Sequence, residues 1–310
     1  MNLDKELRVA LDAVKKGCLL SRAVQKGISS VAKEDRSPVT IADLGTQCVI
    51  SMHLMRQLPG ETLVGEEDTK IFEGREELKS QVLDLVRRFE SGADEKQMLE
   101  AIRFGSQPVV PERFWVLDPI DGTKGFLRGE QYATALGLIV DGKVVLGVLG
   151  CPNFGENIFY AMKGRGAFAM PLNGGTAKQI RVDRISDPSQ AIFCESVESA
   201  HAAHGDHAKI SERLAMTRPP FRMDSQCKYA AVARGDASIY LRLPSRKDYQ
   251  ECIWDHAAGS IIVEEAGGRV TDCDGKSLDF TAGRRLVNNR GIIATNGFIH
   301  DDLLNAIRSL

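Results

Sequence analysis

The sequence predicts a mixed α/β (α+β) protein in two halves, an N-terminal α+β half over 1–175 and a C-terminal α/β half over 176–310. Three observations carry this. Apolar residues recur at helical spacing at the start of the chain. The middle holds a series of β-rich runs joined by tight-turn dipeptides. Beyond about residue 180, strand-like and helix-like segments alternate.

Leu3, Leu7, Leu11, Val14 and Cys18 fall on one helical face, so the chain opens with an amphipathic helix. A polar loop through Ser37-Pro38 precedes a second helix, from near Ile41 toward Met55. Thr62 to Gly65 reads as a short strand ending in Glu66-Glu67-Asp68. Residues 69–111 are charged and helical in pattern, and are expected to form a solvated insertion. Phe114 to Leu117 is an apolar strand that runs into Asp118. Thr134 to Val140 and Lys143 to Leu149 form a hairpin, because Asp141-Gly142 favours a type I′ turn. Strands follow at 156–161 and 166–170, then a turn or linker at Asn173-Gly174-Gly175. In the second half, Ile192 to Cys194, Ser238 to Leu243 and Gly291 to Ala294 read as strands. Helices are expected at 207–215, from Asp255 to Ala266 before Gly267-Gly268, and at 299–309.

The 310 residues carry 40 basic and 42 acidic side chains, a formal net charge of -2. Such a balance excludes a broad nucleic-acid surface but permits a small phosphorylated substrate. The seven cysteines are scattered without a C-x-x-C pair, which points to reduced thiols and a cytoplasmic protein. The N-terminus lacks an apolar run, so no secretory signal or transit peptide is expected. No stretch approaches the ~18 apolar residues of a membrane span. The chain is expected to act as a monomer.

The chemistry concentrates in Trp115-Val116-Leu117-Asp118-Pro119-Ile120-Asp121-Gly122-Thr123. An apolar strand delivers two carboxylates three positions apart, with the Ile120 carbonyl between them. Gly122 permits close backbone approach, and the amides of Gly122 and Thr123 suit a phosphate if a helix opens there. Two acids hold a cation poorly, so further ligands are sought at element boundaries: Glu66 and Glu67, Asp255, and Asp43. Oxygen ligands without His or Cys suit Mg²⁺ rather than Zn²⁺. Taken singly, each is ordinary: a D-x-x-D is a solvated turn, and Asp255 is a helix-capping acid. Only in combination do these residues make a cation site.

That combination resembles a family. G-E-E at 65–67, D-P-I-D-G-T at 118–123 and W-D-H-A-A-G at 254–259 are similar to the motifs of the lithium-sensitive, magnesium-dependent phosphatases, the superfamily of inositol monophosphatase, in the same order. The segments Ser196 to His201, Asp224 to Tyr229 and Tyr240 to Pro244, with Tyr249-Gln250-Glu251, look like the bisphosphate nucleotidase branch. The resemblance implies a layered α/β/α/β/α sandwich with the site between its halves. It implies two magnesium ions, with room for a third, on Glu66, Asp118, the Ile120 carbonyl, Asp121 and Asp255. Thr123, hydrogen-bonded to Asp43, would activate water. Gly122, Thr123, His201, Ser225, Lys228 and Arg242 would bind substrate. The implied activity is removal of the 3′-phosphate of 3′-phosphoadenosine 5′-phosphate, with its sulfated relative as a second substrate. Two alternatives stay open: an inositol polyphosphate 1-phosphatase, and a non-catalytic bisphosphate sensor, which would bind but release no phosphate.

Overall fold

The computed structural model describes residues 2–28, 37–110, 112–197, 204–244, 246 and 248–310. Two long helices, α1 (Asp4–Ile28) and α2 (Ser37–Gln57), lead into β1 (Leu63–Gly65). The opening stripe packs as its spacing requires: Leu3, Val14 and Cys18 are buried, with Leu7 and Leu11 partly so. The stretch 69–111 departs from the expectation of a solvated insertion. Its helices α3 (Glu76–Arg87) and α4 (Glu95–Gly105) bury Val82, Leu85, Val86, Met98, Ala101 and Ile102 in the same core as α1 and α2. Spacings of three and four gather those residues on one stripe, while the many charges take the outer face. A capping box starts α4: Asp94 Oδ1 accepts from the Gln97 amide at 2.8 Å, and Gln97 Oε1 from the Asp94 amide at 3.1 Å.

The first sheet holds β1, β2 (Arg113–Asp121), β3 (Ala133–Val140), β4 (Lys143–Cys151), β5 (Asn157–Met162), β6 (Gly166–Pro171) and β7 (Lys178–Ile180), side by side in chain order. β1 runs parallel to β2, and the other pairs are antiparallel. The β3–β4 turn has φ 48° at Asp141 and 72° at Gly142, the left-handed pair that a type I′ turn needs. This sheet continues to Ile180, past the boundary expected at 175. A short helix, α5 (Thr123–Leu127), follows β2.

The second sheet has the order β11 (Arg269–Thr271), β12 (Ile292–Thr295), β10 (Ile239–Arg242), β8 (Phe193–Glu195), β9 (Phe221–Arg222). Between and around these strands run α6 (His204–Arg213), α7 (Cys227–Arg234), α8 (Ala257–Glu265) and α9 (His300–Arg308).

Side-chain alternation along the strands sorts the layers. Trp115, Leu117, Leu136 and Leu138 pack on α1 and α2, while Phe114, Val116 and Ala135 face α7 and α8. From the second sheet, Cys194, Tyr240, Ile292 and Ala294 enter that same middle layer. Phe193, Ile239, Leu241 and Ile293 face outward, to α6 and α9. The result is α/β/α/β/α, with α7 and α8 buried between two sheets. Gly137 and Gly147 pair across β3 and β4 beneath α8, and a Cβ on Gly147 would lie 2.6 Å from Ala258 O. No described helix is long and apolar enough to cross a membrane.

Candidate active site

β2 leaves the sheet through an irregularity. Its pairing with β3 is continuous to Asp118, then shifts register before Asp121. Pro119 has no N–H to give to a ladder, so it fits this break, and Thr134 Oγ1 donates to its carbonyl at 2.9 Å. Asp118, Ile120 and Asp121 thereby line one cleft. Gly122 continues the chain at φ 93°, and a Cβ there would stand 2.8 Å from Ser225 Cβ.

Parallel pairing sets Gly65 beside Leu117 and so brings Glu66 next to Asp118. Two side chains hold that end. Gln47 of α2, fully buried, donates Nε2 to Glu67 O at 2.8 Å and accepts from the Glu67 amide at 3.1 Å. Arg284 donates Nη2 to Gly65 O at 2.6 Å and lies over the Trp254 ring at 4.6 Å.

Asp255 closes a 3₁₀ turn (Ile253–Asp255) and precedes α8 rather than starting it as expected, since α8 begins at Ala257. Gln226 ties this turn to β2. Its amide donates to Asp121 Oδ2, its Nε2 to Trp254 O at 2.9 Å, and its Oε1 accepts from the Gly259 amide at 3.2 Å.

The cleft has a volume of about 730 Å³. Glu66, Asp118, Ile120, Asp121, Gly122, Thr123, Ser225, Lys228, Arg242 and Asp255 all line it. Burial, then repulsion from Glu67 and Asp121, pushes Glu66 up to about 7. Burial also raises Asp255 to about 7, with Asp121 and Glu66 adding to it. Asp118 is held well above the usual carboxylate range by burial and by Glu66, and burial raises Asp121 as well. Asp118 Oδ1 is buried and has no hydrogen-bond partner among the described residues. A buried carboxylate oxygen without a donor is costly, and four carboxylates repel. A hard divalent cation answers both, and this all-oxygen lining fits magnesium. Among the described residues, a tighter group of ligand-type atoms is formed by Glu251, Asp255 and His256, within 4.8 Å of one another. There, however, Glu251 and His256 bond each other at 3.2 Å.

Asp43 lies buried on α2, and burial, then Glu67 and Glu66, raises its pKa well above the usual value. Thr123 is exposed at the first position of α5. Among the described residues no hydrogen bond joins the two, contrary to the expected Thr123–Asp43 pair: one side chain is sunk in a helix and the other faces solvent. His201 lies outside the described residues.

The cationic side of the cleft comes from the second half. Lys228 is buried on α7, with Nζ 3.5 Å from Met223 O and 5.2 Å from the Tyr240 ring centre, and burial lowers its pKa. Arg242, at the end of β10, has Nε 3.0 Å from Glu251 Oε1 and donates Nη2 to Tyr249 Oη at 3.1 Å. Its Nη1 is 3.7 Å from Asp255 Oδ2. Ser225 adopts φ 67°, and its Oγ accepts from the Cys227 amide at 3.2 Å.

Sequence reasoning assigned no role to Gln47, Gln226, Glu251 or Arg284. Gln226 and Glu251 lie inside segments already singled out, beside more conspicuous residues. Gln47 and Arg284 carry no local signal, because their partners are remote in sequence. A smaller cavity of about 310 Å³ between α2 and α4 has Glu90 in its wall. That carboxylate is already paired with Lys16 and Arg56 at 3.0 and 2.7 Å.

Residues 2–310 match the Inositol monophosphatase family. Curated relatives named 3′(2′),5′-bisphosphate nucleotidase come from Oryza sativa, Dictyostelium discoideum and Emericella nidulans. The rice protein is 45% identical, over 98% of this chain and 93% of its own. The Dictyostelium protein is 42% identical, over 99% and 97%. The Emericella protein is 40% identical, over 100% and 99%. Solved structures of inositol monophosphatases share the fold. That from Zymomonas mobilis aligns with a TM-score of 0.69 at 20% identity, over 99% of both chains. That from Anabaena aligns at 0.66 and 22%, over 100% of this chain and 98% of its own.

Proposed function

The chain belongs to the inositol monophosphatase family, and on that premise we propose that it is a magnesium-dependent phosphomonoesterase. Its substrate is 3′-phosphoadenosine 5′-phosphate, from which it removes the 3′-phosphate to give AMP and inorganic phosphate. One observation supports this most: a single cleft sets Glu66, Asp118, Asp121 and Asp255 against Lys228 and Arg242. The first group suits a cation that grips the phosphate to be cleaved. The second suits a phosphate that stays.

Glu66, Asp118, the Ile120 carbonyl, Asp121 and Asp255 would hold two magnesium ions. Bound magnesium supplies an acidified water and neutralises charge on the transferring phosphoryl group. Asp43 and Thr123 are assigned to orient the attacking water and accept its proton. Lys228 and Arg242 grip the second phosphate, and Ser225 adds a hydrogen bond. These contacts hold the ester in line with the water, and such positioning supplies much of phosphoryl-transfer catalysis. His201 is assigned to the base or ribose. The free thiols, six of them buried, accord with work in a reducing compartment.

The test is phosphate release from 3′-phosphoadenosine 5′-phosphate, its sulfated relative, inositol 1,4-bisphosphate, inositol monophosphate and fructose bisphosphate. The adenosine bisphosphate should turn over fastest, and activity should vanish in EDTA and return with Mg²⁺. Faster turnover of an inositol phosphate would reassign the substrate. Undiminished release after chelation would reject the metal. Binding without release would leave a sensor.

A further inference from the structure

We propose that Glu251 is a positioning residue for substrate selection, acting through Arg242 and itself fixed by His256 and Tyr229. This rests on the reading of Arg242 as a ligand of the second phosphate. Glu251 does not line the cleft. It is buried behind Arg242, and the Leu286 amide donates to its carbonyl at 2.9 Å. Its Oε1 is 3.0 Å from Arg242 Nε, and its Oε2 is 3.2 Å from His256 Nε2. The other ring nitrogen, Nδ1, is 2.8 Å from Tyr229 Oη, and His256 is fully buried.

These contacts converge on the Glu251 carboxylate. An ionised carboxylate only accepts. Arg242 Nε stands 3.0 Å from one oxygen of Glu251 as an ion pair, and His256 Nε2–H donates to the other. The other ring nitrogen, Nδ1, pairs with the Tyr229 hydroxyl at 2.8 Å. A buried relay of three side chains thus ends on one edge of the guanidinium.

Fixing that edge decides where the rest points. The guanidinium has five N–H groups. Nε is held in an ion pair with Glu251, and an N–H on Nη2 goes to Tyr249 Oη. The remaining donors sit at the Nη end of a residue that lines the cleft. Without Glu251, the nearest carboxylate left to Arg242 among the described residues is Asp255, at 3.7 Å from Nη1. The guanidinium would turn toward that acid and away from an incoming phosphate. Glu251 therefore keeps the cation of the second-phosphate site apart from the acids of the first.

Glu251→Gln keeps the shape and breaks the pattern. The neutral amide removes the charge that pairs with the guanidinium, and its NH₂ would oppose Arg242 or the His256 N–H. The readout is a ratio: kcat/KM for 3′-phosphoadenosine 5′-phosphate divided by kcat/KM for adenosine 3′-monophosphate. Arg242→Ala should lower this ratio by roughly 10–150-fold, the range for a lost charge-assisted hydrogen bond. Glu251→Gln should lower it at least about fivefold, and the double variant should match Arg242→Ala alone, since nothing is left to position. A Glu251→Gln protein that loses both activities in proportion overturns the proposal, as do ratio losses that multiply in the double variant. If Glu251→Gln does not fold, Tyr229→Phe carries the test by freeing the His256 tautomer, and the ratio should fall at least about twofold. An unchanged ratio there also overturns it. Wild type without preference for the bisphosphate defeats the underlying reading as well. A preference that survives Glu251→Gln defeats the positioning role alone.

Discussion

Four acids line one cleft because strand pairing and a 3₁₀ turn are set by the backbone without regard to charge: Glu66, Asp118, Asp121 and Asp255 all face it. Their pKa values record the conflict, with Glu66 and Asp255 both raised to about 7. A carboxyl whose folded pKa lies above its unfolded value favours folding while protonated. That contribution is full below the unfolded pKa and is lost as pH rises through about 7. Metal-free protein should therefore melt at a lower temperature at about pH 8 than at about pH 5.5. Added Mg²⁺ should raise Tm more at about pH 8, because ligands must be deprotonated to take the cation. Melting curves with EDTA or with Mg²⁺ at both pH values check this. A larger magnesium effect at the acidic pH would contradict the assignment of these acids as ligands.

At the scale of elements, the seating of α8 on the first sheet determines where Asp255 stands. Gly137 and Gly147 make that seating possible, because α8 lies where their side chains would be. A Cβ on Gly147 would come within 2.6 Å of both Ala258 O and Ile261 Cγ2. Neither backbone nor a buried branched side chain gives way easily. Gly147→Ala should cost about 1–3 kcal/mol of stability by overpacking. Urea unfolding checks this, and a loss under about 0.5 kcal/mol, the scale of a neutral surface change, would show that α8 can shift freely. The helices over 69–111 teach the complementary lesson. Their charge is what the eye meets in the sequence, yet their apolar stripes are what pack against α2.

On the scale of the whole molecule, the two halves expected from the sequence share one buried cluster. That cluster contains Phe114, Val116 and Phe159 of the first sheet together with Tyr240, Ile292 and Ala294 of the second, joined through α7 and α8. Gln226 and Arg284 cross between the halves at the site itself. Neither sheet can keep its inner face dry without the shared helices. Calorimetry should therefore show one cooperative transition, with calorimetric and van't Hoff enthalpies in agreement. Two resolved transitions would mean that the halves fold independently.

The sequence by itself determined the local pieces. β-rich composition placed β3 and β4, Asp141-Gly142 fixed their turn, and the helical stripe defined α1, because each depends on neighbours a few residues away. It also marked the acids of the cleft, since motif residues keep their order along the chain whatever the tertiary path. Only the tertiary structure decided how the pieces combine. It seated Gln47 on Glu67, drew Arg284 across to Gly65, and set Glu251 and His256 behind Arg242. It also left Thr123 unbonded to Asp43 among the described residues. These contacts join side chains with partners on other elements, chosen by layer packing and strand register. No spacing along the chain encodes a distance between elements that meet only after folding.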